Sequence, residues 1–165
     1  MRTYKALLAS VLLLGFSAVY AAEKLSPAEF VDEASAKSVA EIEGGKMALR
    51  KSSSEDVKAY AQRMIDHHTT VNTELAKIAH QKNLKVANEA ELMSKAQELI
   101  LKLREGESFD KAYAKNQVSA HEATIKLFRE ESHSSADPEL KAFATKSLPM
   151  LEQHLEEAKR LAEAH

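Results

Sequence analysis

Residues 56–78 read DVKAYAQRMIDHHTTVNTELAKI, and the spacing of their apolar side chains decides how the rest of the chain is read. Val57, Ala61, Met64, Val71, Leu75 and Ile78 recur by fours and threes, the spacing of one face of a helix. His68 falls in that face, one turn from Met64 and near Val71. Neighbouring residues on a helix point about 100° apart. His67 is therefore expected on the flank, beside Tyr60 and Glu74, while His68 faces inward.

The same reading extends in both directions. Four glycines, three prolines, no tryptophan and abundant Ala, Glu, Lys and Leu favour helix throughout, and no stretch alternates as a strand would. LSPAEF opens a first long helix, with Ser26 as N-cap, Pro27 at N1 and Glu29 completing a capping box, running to about Lys51. Ser54 caps the helix that contains the quoted stretch, which runs to about Lys82. NLKVAN reads as a linker, followed by a short helix from about Glu89 to Arg104. EGES ends that helix, and Ser108 caps a long one from Phe109 to about Ser132. After the polar loop HSSAD, Asp137 and Pro138 start a last long helix that reaches nearly to the C-terminus. Pro149 lies well inside it and predicts a kink or bulge where the Thr145 carbonyl loses its partner. The expected fold is all-α: a four-helix bundle with an extra short helix in the crossover between the second and third long helices.

Each long helix then carries a polar residue in its inward stripe. In the third, Ala114, Val118, His121, Ile125 and Phe128 place His121 in the seam. In the fourth, Leu140, Ala144, Ser147, Leu151, His154, Ala158 and Leu161 do the same for His154. The first offers small residues, Ala34, Ser38, Gly45 and Ala48, with Glu41 among them. All four polar residues lie near the middle of their helices, so a bundle brings them to one layer. His80, His133 and His165 fall on flanks or helix ends.

A buried carboxylate needs partners, because burying it uncompensated costs several kcal/mol. Two arrangements supply them. Glu41, His68, His121 and His154 suit one divalent transition ion, such as zinc, copper, iron, cobalt or manganese. Alternatively, the same four form a metal-free hydrogen-bonded cluster with Glu41 ionised and one histidine protonated. His67, Tyr113 and Gln117 are candidates for an outer ring of hydrogen-bond partners, as is Tyr60. Asp66 points away from His68, and Asp110 lies near a helix start, three turns from His121. The scattered methionines form no copper-binding motif and read as core filler.

Other chemistries lack their motifs. There is no nucleophile elbow, glycine-rich phosphate loop, paired-cysteine motif or HExxH, and no organic cofactor is indicated. A diiron ferroxidase needs two Glu-x-x-His elements on facing helices, and Glu130 with His133 at a helix end is the one instance. No residue pattern marks a catalytic group. No basic stripe suggests nucleic acid.

The N-terminus predicts export. MRTYK is a basic leader, ALLASVLLLGFSAV an apolar run of 14 residues, and small residues follow where a signal peptidase would cut, after Ala21 or alternatively Ala22. A bilayer span needs about 20 apolar residues, and no other stretch approaches one. Residues 22–165 are then expected to form a single soluble periplasmic domain. Its net charge is near −4, since Arg2 and Lys5 leave with the leader and 21 basic residues face 25 acidic ones. The chain has no cysteine, so packing, with the help of any bound metal, rather than disulfides must stabilise it.

Four blocks carry a family likeness. AEIEGGKMAL (40–49), DVKAYAQRMIDHHTTVNTEL (56–75), FDKAYAKNQVSAHEATIKLF (109–128) and DPELKAFATKSLPMLEQHLEEAK (137–159) resemble, in this order, the bacterial family called domain of unknown function 4142. The resemblance spans about Phe30 to Leu161. It implies a ferritin-like four-helix fold and export, and brings no established role. The family's Asp-His-Thr element falls on His67, His68 and Thr69, its third-helix histidine on His121, its Leu-Pro…His element on Leu148, Pro149 and His154, and its first-helix glutamate on Glu41. The chain departs from the family pattern at His67, where the family usually carries Asp.

Overall fold

The structure, a computed structural model, describes residues 25–84, 88, 91–93, 95–96 and 109–165. Four long helices dominate it: α1 (Pro27–Lys51), α2 (Glu55–Gln81), α3 (Phe109–Ser134) and α4 (Pro138–Ala164). No strand occurs among the described residues. The expected leader and the Ser108 cap lie outside them. So does most of the expected short helix, of which 91–93 and 95–96 are helical and Asn88 caps the start through reciprocal bonds with Glu91.

Local chemistry sets the helix ends where the sequence places them. Ser26 and Glu29 close a capping box at α1, Ser54 accepts from the Val57 N–H at α2, and Asp137 accepts from Glu139 and Leu140 at α4. The α2 C-terminus is a Schellman turn. Asn83 sits at φ 52°, its N–H bonds the His80 carbonyl, and the Leu84 N–H bonds the Ala79 carbonyl. Asparagine tolerates that left-handed backbone better than most residues with a Cβ. α4 stays helical on both sides of Pro149, whose ring is exposed.

The three-residue link 52–54 makes α1 and α2 an antiparallel hairpin, and 135–137 does the same for α3 and α4. Contacts between the hairpins give the remaining directions. Phe30, at the start of α1, packs edge-on against Phe128 near the end of α3, and Lys51, at the end of α1, lies over the Phe109 ring at the start of α3. Lys82 at the end of α2 pairs with Asp137 at the start of α4. Ser54 and His165 meet at the opposite end. Hence α1 is antiparallel to α3 and α2 to α4, which leaves α2 and α3 parallel. The end of α2 and the start of α3 therefore lie at opposite ends of the bundle, so the chain between them links the two ends.

Two apolar clusters fill the interior. One holds Phe30, Leu75, Phe128, Phe143 and Leu151; the other holds Met47, Tyr60, Met64, Tyr113 and Leu161. Each helix contributes to both clusters, and the stretch between its two contributions carries a buried ionisable residue: Glu41, His68, His121 and His154. A polar layer thus separates two hydrophobic halves.

α1 meets α2 closely because its stripe is small. A Cβ on Gly45 would stand 2.9 Å from the Ala61 carbonyl oxygen and 2.9 Å from Ile65 Cγ1. Side-chain motion can relieve the second contact, whereas the first is with backbone. Gly45→Ala is expected to destabilise the protein by about 1–2 kcal/mol, overpacking outweighing the gain in helix propensity. Urea unfolding measures it, and a more stable variant would show that the helices can separate at little cost.

Candidate metal centre

The polar layer is assembled by helix periodicity, one residue per helix. His68, His121 and His154 are each 1 % exposed and Glu41 4 %, so all four are buried as the seams predict. The three imidazoles converge. One ring nitrogen from each lies within 4.8 Å of the others, and ring centroids are 5.3 to 5.7 Å apart. Among the described residues this is the group of three whose donors lie close enough to share an ion. Glu41 is not part of it. It lies in the same layer, and His121 is among the neighbours that favour its charged form.

Hydrogen bonds distinguish the ring nitrogens. His121 Nδ1 lies 2.9 Å from the Gln117 carbonyl oxygen one turn back, so Nδ1–H donates there. That leaves the Nε2 lone pair of His121 facing the interior with no partner. His154 Nε2 lies 2.7 Å from His67 Nδ1, and His154 Nδ1 has no partner. Neither nitrogen of His68 has one. Two of the three rings are thus held by one nitrogen and have the other free, the arrangement that metal-binding histidines adopt.

Around this group lies a second tier. The Tyr60 hydroxyl donates to Gln117 Oε1 at 3.2 Å and reaches the His154 carbonyl oxygen at 3.4 Å. Tyr113 is fully buried, its hydroxyl unpartnered like Glu41 Oε2. Leaving a buried polar atom unpaired costs about 1–3 kcal/mol, so six such atoms in one layer are a heavy load for a bundle of this size.

Burial dominates the electrostatics. It lowers the pKa of His68 well below the ordinary histidine value, with the neighbouring rings of His121, His154 and His67 adding repulsion. It lowers that of His154 to about 3, aided by His121, His67 and Arg63. Both rings are therefore neutral at physiological pH, the form that ligates a metal. Burial raises the pKa of the Glu41 carboxyl, opposed by His121, Gln117 and Lys37. The phenols of Tyr60 and Tyr113 are also raised by burial, and Glu41 adds to both.

The remaining sequence candidates fall into place. Gln117 and Tyr113 are buried beside the layer. Asp66 is exposed and bonds Gln62, and Asp110 sits in the first turn of α3. Glu130 and His133 lie in the last turns of α3, away from the layer. His67 lies on the flank of α2, where the sequence places it among the candidate outer hydrogen-bond partners. The flank it occupies is where α4 packs on α2, so it is partly buried and its ring meets that of His154 edge to edge, with centroids 5.0 Å apart and planes 15° from parallel. Periodicity within one helix shows which way a side chain points but not which neighbour stands there.

The fold and the layer define a helical bundle with a buried histidine cluster. Residues 16–161 match the family model described as Domain of unknown function (DUF4142), and the chain belongs to that family. No curated protein and no solved structure matches it. Among the described residues no helix is long and apolar enough to cross a membrane.

Proposed function

We propose that the protein is an exported, ferritin-like helical bundle that binds one divalent transition metal ion in its core. His121 Nε2, His154 Nδ1 and one nitrogen of His68 are the ligands, and Glu41 supplies negative charge in the same layer. The observation that carries this reading is the convergence of three buried imidazoles, one nitrogen of each within 4.8 Å of the others, each ring with at least one unpartnered nitrogen and with burial holding His68 and His154 neutral. A metal–nitrogen distance of about 2.0–2.1 Å requires these donors to close up somewhat, which small ring rotations supply. Three imidazoles and no sulfur fit zinc, copper, iron, cobalt or manganese, and the ligand set leaves a coordination position open for water or a small ligand.

The helix directions support the ferritin-like assignment, since a parallel second and third helix needs the single long crossover of that fold. The basic and apolar N-terminal stretch supports export to the periplasm. No pair of Glu-x-x-His elements is present, so the role proposed is metal handling or protection against metal-linked stress rather than diiron oxidation.

Metal content and chelation test this reading. Protein purified from the periplasm is expected to carry close to one equivalent of a transition metal, and chelators should lower its Tm. Substoichiometric metal, together with a Tm indifferent to chelators, would leave a metal-free scaffold whose polar layer fixes helix register.

A further inference from the structure

We propose that His67 is the positioning residue of this centre: it holds the His154 ring so that Nδ1 is offered to the metal. The inference rests on the metal reading above and adds a fourth imidazole that does not itself ligate. A histidine ring can turn about its Cβ–Cγ bond, and its proton can sit on either nitrogen, so a buried ring needs an outside contact to choose one arrangement.

The three rings differ in that contact. His121 is held by the Gln117 carbonyl of its own helix, a partner the α3 backbone supplies by itself. His68 has none. His154 is held by a side chain from another helix, at 2.7 Å and with the two rings close to parallel, 15° apart, as an in-plane N–H···N contact requires. Of the two ways to place a proton in that contact, one leaves a lone pair on His154 Nδ1: His154 Nε2–H donates and His67 Nδ1 accepts. His67 must then carry its own proton on Nε2. That ring is partly exposed, on the polar seam between α2 and α4, where Arg63 pairs with Glu157 on one side and Lys146 with Glu74 on the other.

Stereochemistry supplies a sharp control. Nδ1 of histidine and Oδ1 of asparagine are each bonded directly to Cγ, so His67→Asn places an uncharged acceptor where Nδ1 stood. His67→Ala removes the acceptor. Neither change touches a ligand, and the site's partial exposure limits the packing cost.

The experiment titrates zinc(II) and cobalt(II) into the metal-free wild type, His67→Ala and His67→Asn. It reads affinity, stoichiometry and the cobalt absorption bands. Nitrogen-15 imidazole spectra of the metal-free proteins report the tautomer of His154. The expected wild type shows His154 protonated on Nε2 and binds one ion. His67→Ala is expected to bind about 10–100-fold more weakly, the usual effect of removing a ligand's hydrogen-bond partner, with altered cobalt bands and no preferred His154 tautomer. His67→Asn should recover most of the affinity and the Nε2–H form. Unchanged affinity in His67→Ala, an Asn variant as weak as the Ala variant, or a wild-type His154 protonated on Nδ1 would each overturn the role of His67 and leave the centre standing. A wild type that takes up neither metal would overturn the centre and the role together.

Discussion

Replacing His68 with leucine is expected to abolish tight metal binding and, in the metal-free protein, to raise stability. Both effects follow from the same two atoms. Neither His68 nitrogen has a hydrogen-bond partner among the described residues, and the ring is 1 % exposed. Leucine is of similar bulk and apolar, so it removes two unpaired buried nitrogens, worth about 1–3 kcal/mol together after allowance for imperfect fit. The neighbours of His68 along its seam, Met64 and Val71, are apolar and would accept it. With metal the order reverses. A ligand present at a thousand times its Kd stabilises the native state by about 4 kcal/mol, which in a chain of this length is a rise of roughly 10 °C in Tm. The wild type should show that rise with zinc or cobalt(II), and His68→Leu should not, its affinity falling by more than about a hundredfold, beyond what loss of an outer partner costs. Calorimetry with and without metal reads both arms. A variant that binds as tightly as the wild type would remove His68 from the ligand set; one that is destabilised without metal would mean that the wild-type nitrogens find partners in solution.

Acidification is the second large effect. His68 and His154 have pKa values lowered in the fold, His154 to about 3. The unfolded chain binds their protons near pH 6.5 while the native state does not, so stability falls as pH drops through and below 6.5. For His154 the loss between pH 7 and pH 5 is about 2 kcal/mol, and His68 adds a loss of the same sign. Glu41 works the other way. Its folded pKa is raised, so over the interval between its unfolded and folded values the native state holds the extra proton, and acidification restores stability. The metal-free wild type should therefore be less stable at pH 5 than at pH 7, and Glu41→Gln should show the steeper fall because the opposing contribution is gone. Urea unfolding at the two pH values measures both slopes. Equal slopes in the two proteins would show that Glu41 does not change its protonation on folding; a wild type more stable at pH 5 would show that the histidine contribution is not the larger one.

Much of the candidate site is legible in the sequence, for reasons that particular residues make plain. His68, His121 and His154 were placed inward because each interrupts an apolar stripe of period three and four, and an interior position on an amphipathic helix depends on the angle round the helix axis alone. Ser26, Ser54, Asp137 and Pro138 marked helix starts because capping is chemistry within one turn. Glu41 is buried as its stripe implies, but the sequence also assigns it to the ligand set, whereas the group of closely spaced donors holds the three imidazoles alone. Which polar residues of a layer come within bonding distance depends on helix rotations and side-chain torsions of a few ångströms, and no spacing along one helix encodes them.

His67 shows the limit most clearly. Its position about 100° from His68 puts it on the flank of the helix, and the structure has it there. The meaning of a flank depends on the neighbour across it, which belongs to the packing of one hairpin on the other. Residues 56–78 thus determined by themselves that a helix forms, that His68 turns inward and that His67 does not, because these are consequences of backbone period and side-chain polarity. Only the tertiary structure decided that α4 lies along that flank with His154 at matching height, so that the two adjacent histidines meet the same third ring from different sides. The contacts responsible join residues 87 apart in the chain, a separation over which no local pattern carries information.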